Sequence, residues 1–177
     1  GIGLGDLLAG LPIDAAGDFT GSFLDLLTPF GLLLGLTLLT LSLLHGAAFL
    51  TLRTTGPVLE RSRALVRRLA LPAVALVLVA AVWMVVLAAP GGWGYLAVAV
   101  PAVAVIAAAV TALPGRAGPA TFVATAISIG ALVAALFVCL YPTLLVSTTD
   151  PAYSLTVTNS ASSPYSLQVM TVNEYAG

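Results

Sequence analysis

Residues 28–68, TPFGLLLGLTLLTLSLLHGAAFLTLRTTGPVLERSRALVRR, decide the fold of this chain. The first part, residues 28–52, is apolar and uncharged, and about 25 residues at ~1.5 Å each exceed a bilayer hydrocarbon core of ~30 Å. We therefore predict a transmembrane helix. Thr28 is placed to cap it, and Pro29 lies in its first turn, where a missing N–H costs nothing.

A basic segment follows this helix and contains most of the positive charge of the chain. Loops with an excess of arginine flank membrane spans on the cytoplasmic side, so we predict that residues 53–68 form a cytoplasmic basic loop. We expect its charges to be solvated, and the alternatives are pairing with Glu60 or with anionic lipid headgroups. The arginines of this loop are Arg53, Arg61, Arg63, Arg67 and Arg68.

Small residues recur along the first predicted span and lie on one stripe of the helix, where another helix can approach closely. We interpret this stripe as a helix-packing seam, although glycine is also common in lipid-facing spans. The seam consists of Gly31, Gly35, Ser42 and Gly46. A second stripe in the last predicted span is a candidate partner for it and consists of Ala126, Gly130 and Ala134.

Composition identifies an integral membrane protein. Hydrophobic residues make up 60% of the chain and charged residues 7%, whereas a soluble domain carries about 25% charged residues. Three further apolar runs, at residues 69–89, 93–113 and 120–141, predict an all-α polytopic bundle of about four spans. The net charge of −1, with no basic surface, argues against nucleic acid as a partner.

The position of the arginines predicts the topology of the chain. Basic and non-basic connections alternate, so both ends of the chain should be extracytoplasmic. We predict a surface segment at residues 1–27, the four-span bundle at 28–141, and an outer loop at 142–177 that ends in the start of a truncated helix. Pro72 should lie harmlessly in a first turn, whereas Pro101 should kink its helix.

Two stretches resemble a known family. PFGLLLGL at residues 29–36 and HGAAFLTLRTTGPVLERSRAL at 45–65 are similar to a span and basic loop of subunit II of cytochrome bd-type quinol oxidases. The tail resembles the same family through Tyr141-Pro142, the triplet SLT at residues 154–156, and LQVMT at 167–171. Because family chains are longer, we expect this sequence to be the middle-to-late part of a subunit.

The resemblance implies a role in aerobic respiration. Subunit II of such oxidases is a non-haem membrane scaffold for subunit I, and subunit I carries two haems b, haem d and the quinol loop. The complex oxidises quinol and reduces oxygen to water in the bacterial cytoplasmic membrane. The resemblance therefore implies subunit I, membrane lipids and, as an open alternative, a quinone as partners, and it implies no catalytic, cofactor-binding or metal-binding residue in this chain.

His45 is the one histidine of the chain and the natural candidate for a haem ligand. The resemblance argues against that role, because similar subunits carry glutamine at this position. A neutral imidazole there can instead form a hydrogen bond between helices.

Two other functions remain as alternatives. The chain can be part of a secondary transporter, although such transporters normally show a polar cluster at the midplane of the membrane. It can also be a membrane assembly factor.

Overall fold

The computed structural model of the chain describes residues 1–15, 18–113, 117–158 and 160. It confirms the all-α class, and within these residues four helices are long and apolar enough to cross a membrane. The helices are α1 (Ile2–Ala9), α2 (Pro29–Arg53), α3 (Gly56–Ala88), α4 (Gly92–Ala112) and α5 (Pro119–Leu140). After α5, a short strand β1 (Thr143–Leu145) pairs antiparallel with β2 (Leu155–Thr156).

The start of α2 is built as the sequence predicts. Thr28 has an extended backbone, and its hydroxyl accepts a hydrogen bond from the Gly31 N–H at 2.9 Å. Pro29 occupies the first turn, where no intrahelical acceptor is available for an N–H. Both ends of α4 and both ends of α5 lie one residue before the ends of the predicted apolar runs.

The predicted basic loop is wrong in its form, because most of it is helical. Only Thr54 and Thr55 separate α2 from α3, and α3 already begins at Gly56. Arginine, leucine, alanine and glutamate are good helix formers, and Pro57 suits a first turn, so the segment has little reason to unwind. As a result, Pro72 lies inside α3 and not in a first turn.

Small side chains fill much of the interior of the bundle. Lipid is as apolar as leucine, so helices in a membrane associate through close van der Waals packing, which small residues permit. The most deeply buried alanines come from α2, α3, α4 and α5, and they are Ala48, Ala70, Ala73, Ala80, Ala108, Ala112 and Ala135. Large apolar side chains point outward on every span, as expected for helices surrounded by lipid or by other helices.

The helix α1 packs against the start of α2 and does not lie apart as a surface piece. A methyl group added at Gly1 would lie 2.7 Å from the Gly35 Cα, and one added at Gly5 would lie 2.6 Å from the Gly31 Cα. Gly1 lies opposite Gly35 and Gly5 lies opposite Gly31, so α1 and α2 are antiparallel there. Both contacts are too close for any Cβ atom at these positions.

The rest of the predicted seam is exposed in the part of the chain that the structure describes. Ser42 and Gly46 are exposed, and a methyl group added at Gly46 would meet nothing within 4 Å. The predicted partner stripe was also wrong, because all three of its residues are exposed on α5 and α5 turns a polar face toward α2 instead. The exposed residues of that stripe are Ala126, Gly130 and Ala134.

The segments that follow α1 and α5 are joined at one end of the bundle. The Leu11 N–H donates to the Val146 carbonyl at 2.9 Å, and the Thr148 N–H donates to the Leu11 carbonyl at 3.0 Å. The Ser147 hydroxyl also donates to the Ile13 carbonyl at 3.2 Å. Four spans bring the chain back to the side from which it started, and this joint is the contact that results.

The predicted C-terminal helix stub, capped by Ser163 and opened by Pro164, lies outside the described residues. The SLT triplet of the tail belongs to the described part. Its serine hydroxyl, on Ser154, accepts a hydrogen bond from the Ser147 N–H at 3.0 Å, and the next two residues form β2.

The close approach of α1 and α2 predicts a position-dependent effect of glycine replacement. Gly31→Ala places a methyl group against the Asp6 Oδ1 of α1, 2.9 Å from the Thr28 Oγ1 and 3.0 Å from the Ile2 carbonyl oxygen. We expect the free energy of unfolding to fall by about 1–3 kcal/mol, which is typical of overpacking. Chemical unfolding of the purified full-length protein in detergent measures this loss.

Gly46→Ala is the matched control on the same helix, because its methyl group meets nothing within 4 Å. Alanine has a higher helix propensity than glycine, so this variant should be neutral or slightly more stable. Equal stability of the two variants would contradict the close contact.

Candidate functional site: a polar network between the spans

The inward face of α5 carries hydroxyl groups in the middle of an apolar bundle. Thr121, Thr125 and Ser128 lie on this face, and each is 0% exposed. A hydroxyl in such surroundings costs free energy unless it forms hydrogen bonds. Each of the three does so, and together they connect α5 to α2 and α4.

His45 is the centre of the contact between α2 and α5. Its Nδ1 lies 2.8 Å from the Thr125 Oγ1, which confirms the predicted hydrogen bond between helices. The Thr125 hydroxyl proton is directed at the carbonyls of Phe122 (2.8 Å) and Thr121 (3.0 Å) of its own helix. We therefore assign Nδ1–H as the donor to Thr125. The imidazole also stacks on Phe122, with 4.4 Å between ring centroids.

Two further hydrogen bonds tie α4 to α5. The hydroxyls of Thr111 and Thr121 lie 2.9 Å apart. The Ser128 hydroxyl donates to the Pro101 carbonyl at 3.0 Å, and Pro101 lies inside α4 as expected. On the α2 side, the Thr51 hydroxyl donates to the Ala117 carbonyl at 3.3 Å. The network therefore joins three helices.

This arrangement suits a structural connection better than proton transfer. Thr121 and Thr125 are linked through the Thr121 carbonyl, and a carbonyl oxygen accepts a hydrogen bond without carrying a proton onward. Among the residues that the structure describes, no hydroxyl is paired with a histidine that is oriented by a carboxylate, as nucleophilic catalysis requires. The polar network is therefore a buried cluster of side chains whose buried polar atoms all have hydrogen-bond partners.

Three of the surface grooves formed by the described residues are apolar or partly polar, and His45 lines none of these three. One of them, with a volume of 460 Å³, runs along α3 beside Trp83. One of 300 Å³ lies between α3 and α4, and one of 380 Å³ lies at the α3–α4 turn. A haem would require His45 to face a cavity wide enough for a porphyrin, and the imidazole instead packs on Phe122. His45 is therefore packed as part of the contact between α2 and α5, with its Nδ1 engaged by Thr125.

A buried carboxylate at the other end of the bundle was missed by sequence reasoning. Asp6 of α1 is 3% exposed and accepts a hydrogen bond from the Thr28 hydroxyl at 2.6 Å. Its position at the N-terminus of α2 is favourable for a negative charge. The spacing of Gly1 and Gly5, which repeats that of Gly31 and Gly35, was the signal that α1 packs on α2 and buries a neighbouring acid.

The structure separates the predicted site residues into distinct places. Gly31 and Gly35 face α1, whereas Ser42 and Gly46 are exposed on the outside of α2. The arginines lie at the end of the bundle away from α1, and Arg53 is the last residue of α2. The other four belong to the first turns of α3, and all five arginines are exposed.

The hydrogen bond between His45 and Thr125 predicts a measurable contribution to stability. Thr125→Val keeps the shape of the side chain but leaves the Nδ1–H without its partner. We expect a loss of about 1 kcal/mol in the free energy of unfolding, since such bonds contribute ~0.5–1.5 kcal/mol. The control is Thr37→Val, because Thr37 is equally buried and bonds only to the Leu33 carbonyl of its own helix. Equal losses in the two variants would refute the role of the interhelical bond.

Comparison with known proteins agrees with this architecture. The model of the family described as cytochrome bd terminal oxidase subunit II matches residues 1–175. Cytochrome bd ubiquinol oxidase subunit 2 of Bacillus subtilis is 30% identical over 173 residues, which cover 94% of this chain and 50% of the relative. Cytochrome bd-I ubiquinol oxidase subunit 2 of Escherichia coli K12 is 27% identical over 207 aligned residues, covering 97% of this chain and 55% of the relative.

A third relative matches a shorter part of this chain. The probable cytochrome oxidase subunit 2 of Haemophilus influenzae is 39% identical over 67 residues, which cover 36% of this chain and 18% of the relative. The chain spans about half the length of the first two relatives. Since the family match extends over nearly the whole sequence, the chain belongs to the cytochrome bd terminal oxidase subunit II family.

Proposed function

We propose that this chain is the scaffolding part of a haem-free membrane subunit in a quinol-oxidising, oxygen-reducing respiratory complex. The observation that carries the proposal is the match to the subunit II family over residues 1–175, together with four apolar spans in the described chain. In this proposal the subunit binds a haem-bearing subunit I, which holds two haems b and haem d and oxidises quinol. The catalytic groups lie outside this segment.

The packing of His45 supports the assignment of the haems to the partner. Its Nδ1–H bonds to Thr125, its ring covers Phe122, and no groove described above reaches it. The imidazole therefore takes part in holding α2 to α5. A buried hydrogen-bond network of threonine, serine and histidine holds the helices of the bundle in fixed positions. A scaffold for redox centres requires such rigidity.

The outer surface of the bundle offers ways to bind a partner helix. Ser42 and Gly46 form an exposed small-residue surface on α2, and the exposed stripe at Gly130 provides another on α5. In a complex these surfaces permit close approach by helices of subunit I. Membrane lipids cover the remaining apolar exterior, and the 460 Å³ groove beside Trp83 is apolar enough for a lipid chain or a quinone tail.

We further propose that the arginine end of the bundle faces the cytoplasm of a bacterium and that the joined segments around Leu11 and Val146 lie outside. Five of the six arginines lie within residues 53–68, and positive charge is retained on the cytoplasmic side. The spans then cross the cytoplasmic membrane.

Purification of the complete complex tests the proposed function. We expect a larger haem-bearing subunit to co-purify in equal amount and the preparation to oxidise quinol with consumption of oxygen. His45→Gln should leave the amplitude of every haem absorption band unchanged, since glutamine can still donate a hydrogen bond to Thr125. Recovery of a haem-free homodimer would refute the complex, and loss of one haem band from an assembled complex would refute the structural role of His45.

Labelling of single cysteines tests the orientation. A cysteine at Ser62 is unsuitable because that residue is buried, so Thr55 and Pro57 are the better positions on the arginine side. We expect labels there to require a membrane-permeant reagent, whereas a cysteine at Thr149 should react with an impermeant reagent in intact cells. The native Cys139 is replaced by alanine in all variants, and the reverse pattern of labelling would invert the proposed topology.

A further inference from the structure

The helix α3 is longer than a bilayer requires, and its excess length carries the charge. It has 33 residues, or ~50 Å at 1.5 Å per residue, against a hydrocarbon core of ~30 Å. The uncharged residues 69–88 are sufficient to cross that core. The first turns of α3 therefore continue as a helix into the headgroup layer, with Arg68 at the boundary.

The four arginines of this extension lie on two different strips of the helix. Arg61 and Arg68 are seven residues apart, and Leu65 lies between them on the same strip. Arg63 and Arg67 form the second strip, which also carries Glu60 three residues before Arg63. The carboxylate of Glu60 partly neutralises the second strip. The strip of Arg61 and Arg68 has no acid on it.

The strip of Arg61 and Arg68 is accessible and amphipathic. Both arginines are exposed, as is Glu60 on the other strip. The packed side of the helix carries Ser62 and Val66, which are buried. Between and below the two arginines are large apolar side chains with high exposure, namely Leu65 at 42% and Leu71 at 61%.

We propose that this strip binds the headgroup of an anionic phospholipid. Arginine offers a planar set of donors that matches phosphate oxygens, and two such groups with no acid on the same strip of the helix prefer a headgroup with net negative charge. Arg61 lies ~10 Å beyond Arg68 along the helix, and flexible arginine side chains reach back toward the interface. The exposed Leu65 and Leu71 provide the apolar surface along which an acyl chain lies.

The depth of the strip favours a lipid over a soluble ligand. Its lower end is at the edge of the hydrocarbon core, close to the layer in which the phosphate groups of lipids are concentrated. A free anion would have to compete with these phosphate groups for the arginines. The inference rests on the membrane location of α3 in the proposed function and is independent of quinol oxidation. Haem spectra of the same preparations report on the proposed function separately.

The test compares two double variants of the complete complex with the same change in charge. Arg61→Gln with Arg68→Gln removes the strip, and Arg63→Gln with Arg67→Gln is the matched control beside Glu60. Native mass spectrometry in detergent measures retention and titration of phosphatidylglycerol, with phosphatidylcholine of the same acyl chains as the neutral lipid. All four substituted arginines are exposed, so both variants should assemble with normal haem bands.

We expect the first variant to bind phosphatidylglycerol about 20- to 30-fold more weakly, since an arginine near an anionic surface contributes about fivefold. The control should change by less than a few fold, and binding of phosphatidylcholine should not change in either variant. An Arg61→Lys, Arg68→Lys variant should recover most of the affinity, because it restores the charge.

Several results would overturn the proposal. Equal loss in both double variants would indicate diffuse charge attraction and no defined site. Displacement of the lipid by millimolar inorganic phosphate would assign the strip to a free anion. Unchanged lipid binding would show that the strip faces water. Loss of subunit I from the first variant alone would show that the strip faces an acidic surface of the partner.

Discussion

The absence of water in the hydrocarbon core is the constraint on which this structure depends. Backbone polar groups there must bond within helices, and the helices gain little from hydrophobic attraction because lipid is equally apolar. Cohesion must come from close contacts and from buried hydrogen bonds. This chain uses both, with glycine contacts between α1 and α2 near Gly31 and a hydroxyl-bearing face on α5 around Thr125. Each lies where large side chains would hold the helices apart.

The two ends of the bundle have different physical characters, and the polar network lies between them. At one end, α1 and the segment after α5 are bonded together and a carboxylate, Asp6, is buried. At the other, α3 extends beyond the core with exposed arginines. His45, eight residues before the end of α2, lies ~12 Å inside the arginine end and stiffens that half. The bundle is therefore held together at the α1 end and in its interior.

The spans could be predicted from sequence because length, hydropathy and caps are local properties. Thr28 and Pro29 determine where α2 begins without reference to any other helix. The pairing of helices could not be predicted in the same way, since the small residues at Gly31 and Gly130 look alike in sequence and only the first faces another helix of the chain. The helical form of residues 56–68 was missed because charge was taken as a sign of a loop, although arginine favours helix.

The joint between Ile13 and Ser147 connects residues 134 positions apart in sequence. During synthesis the early segment has no partner for these hydrogen bonds until α5 has been made and has crossed the bilayer. Long-range contacts of this kind form late, after local helices already exist. The order of biogenesis is therefore encoded in the fold: insertion of each hairpin can precede closure, and closure marks the moment at which all four spans are present.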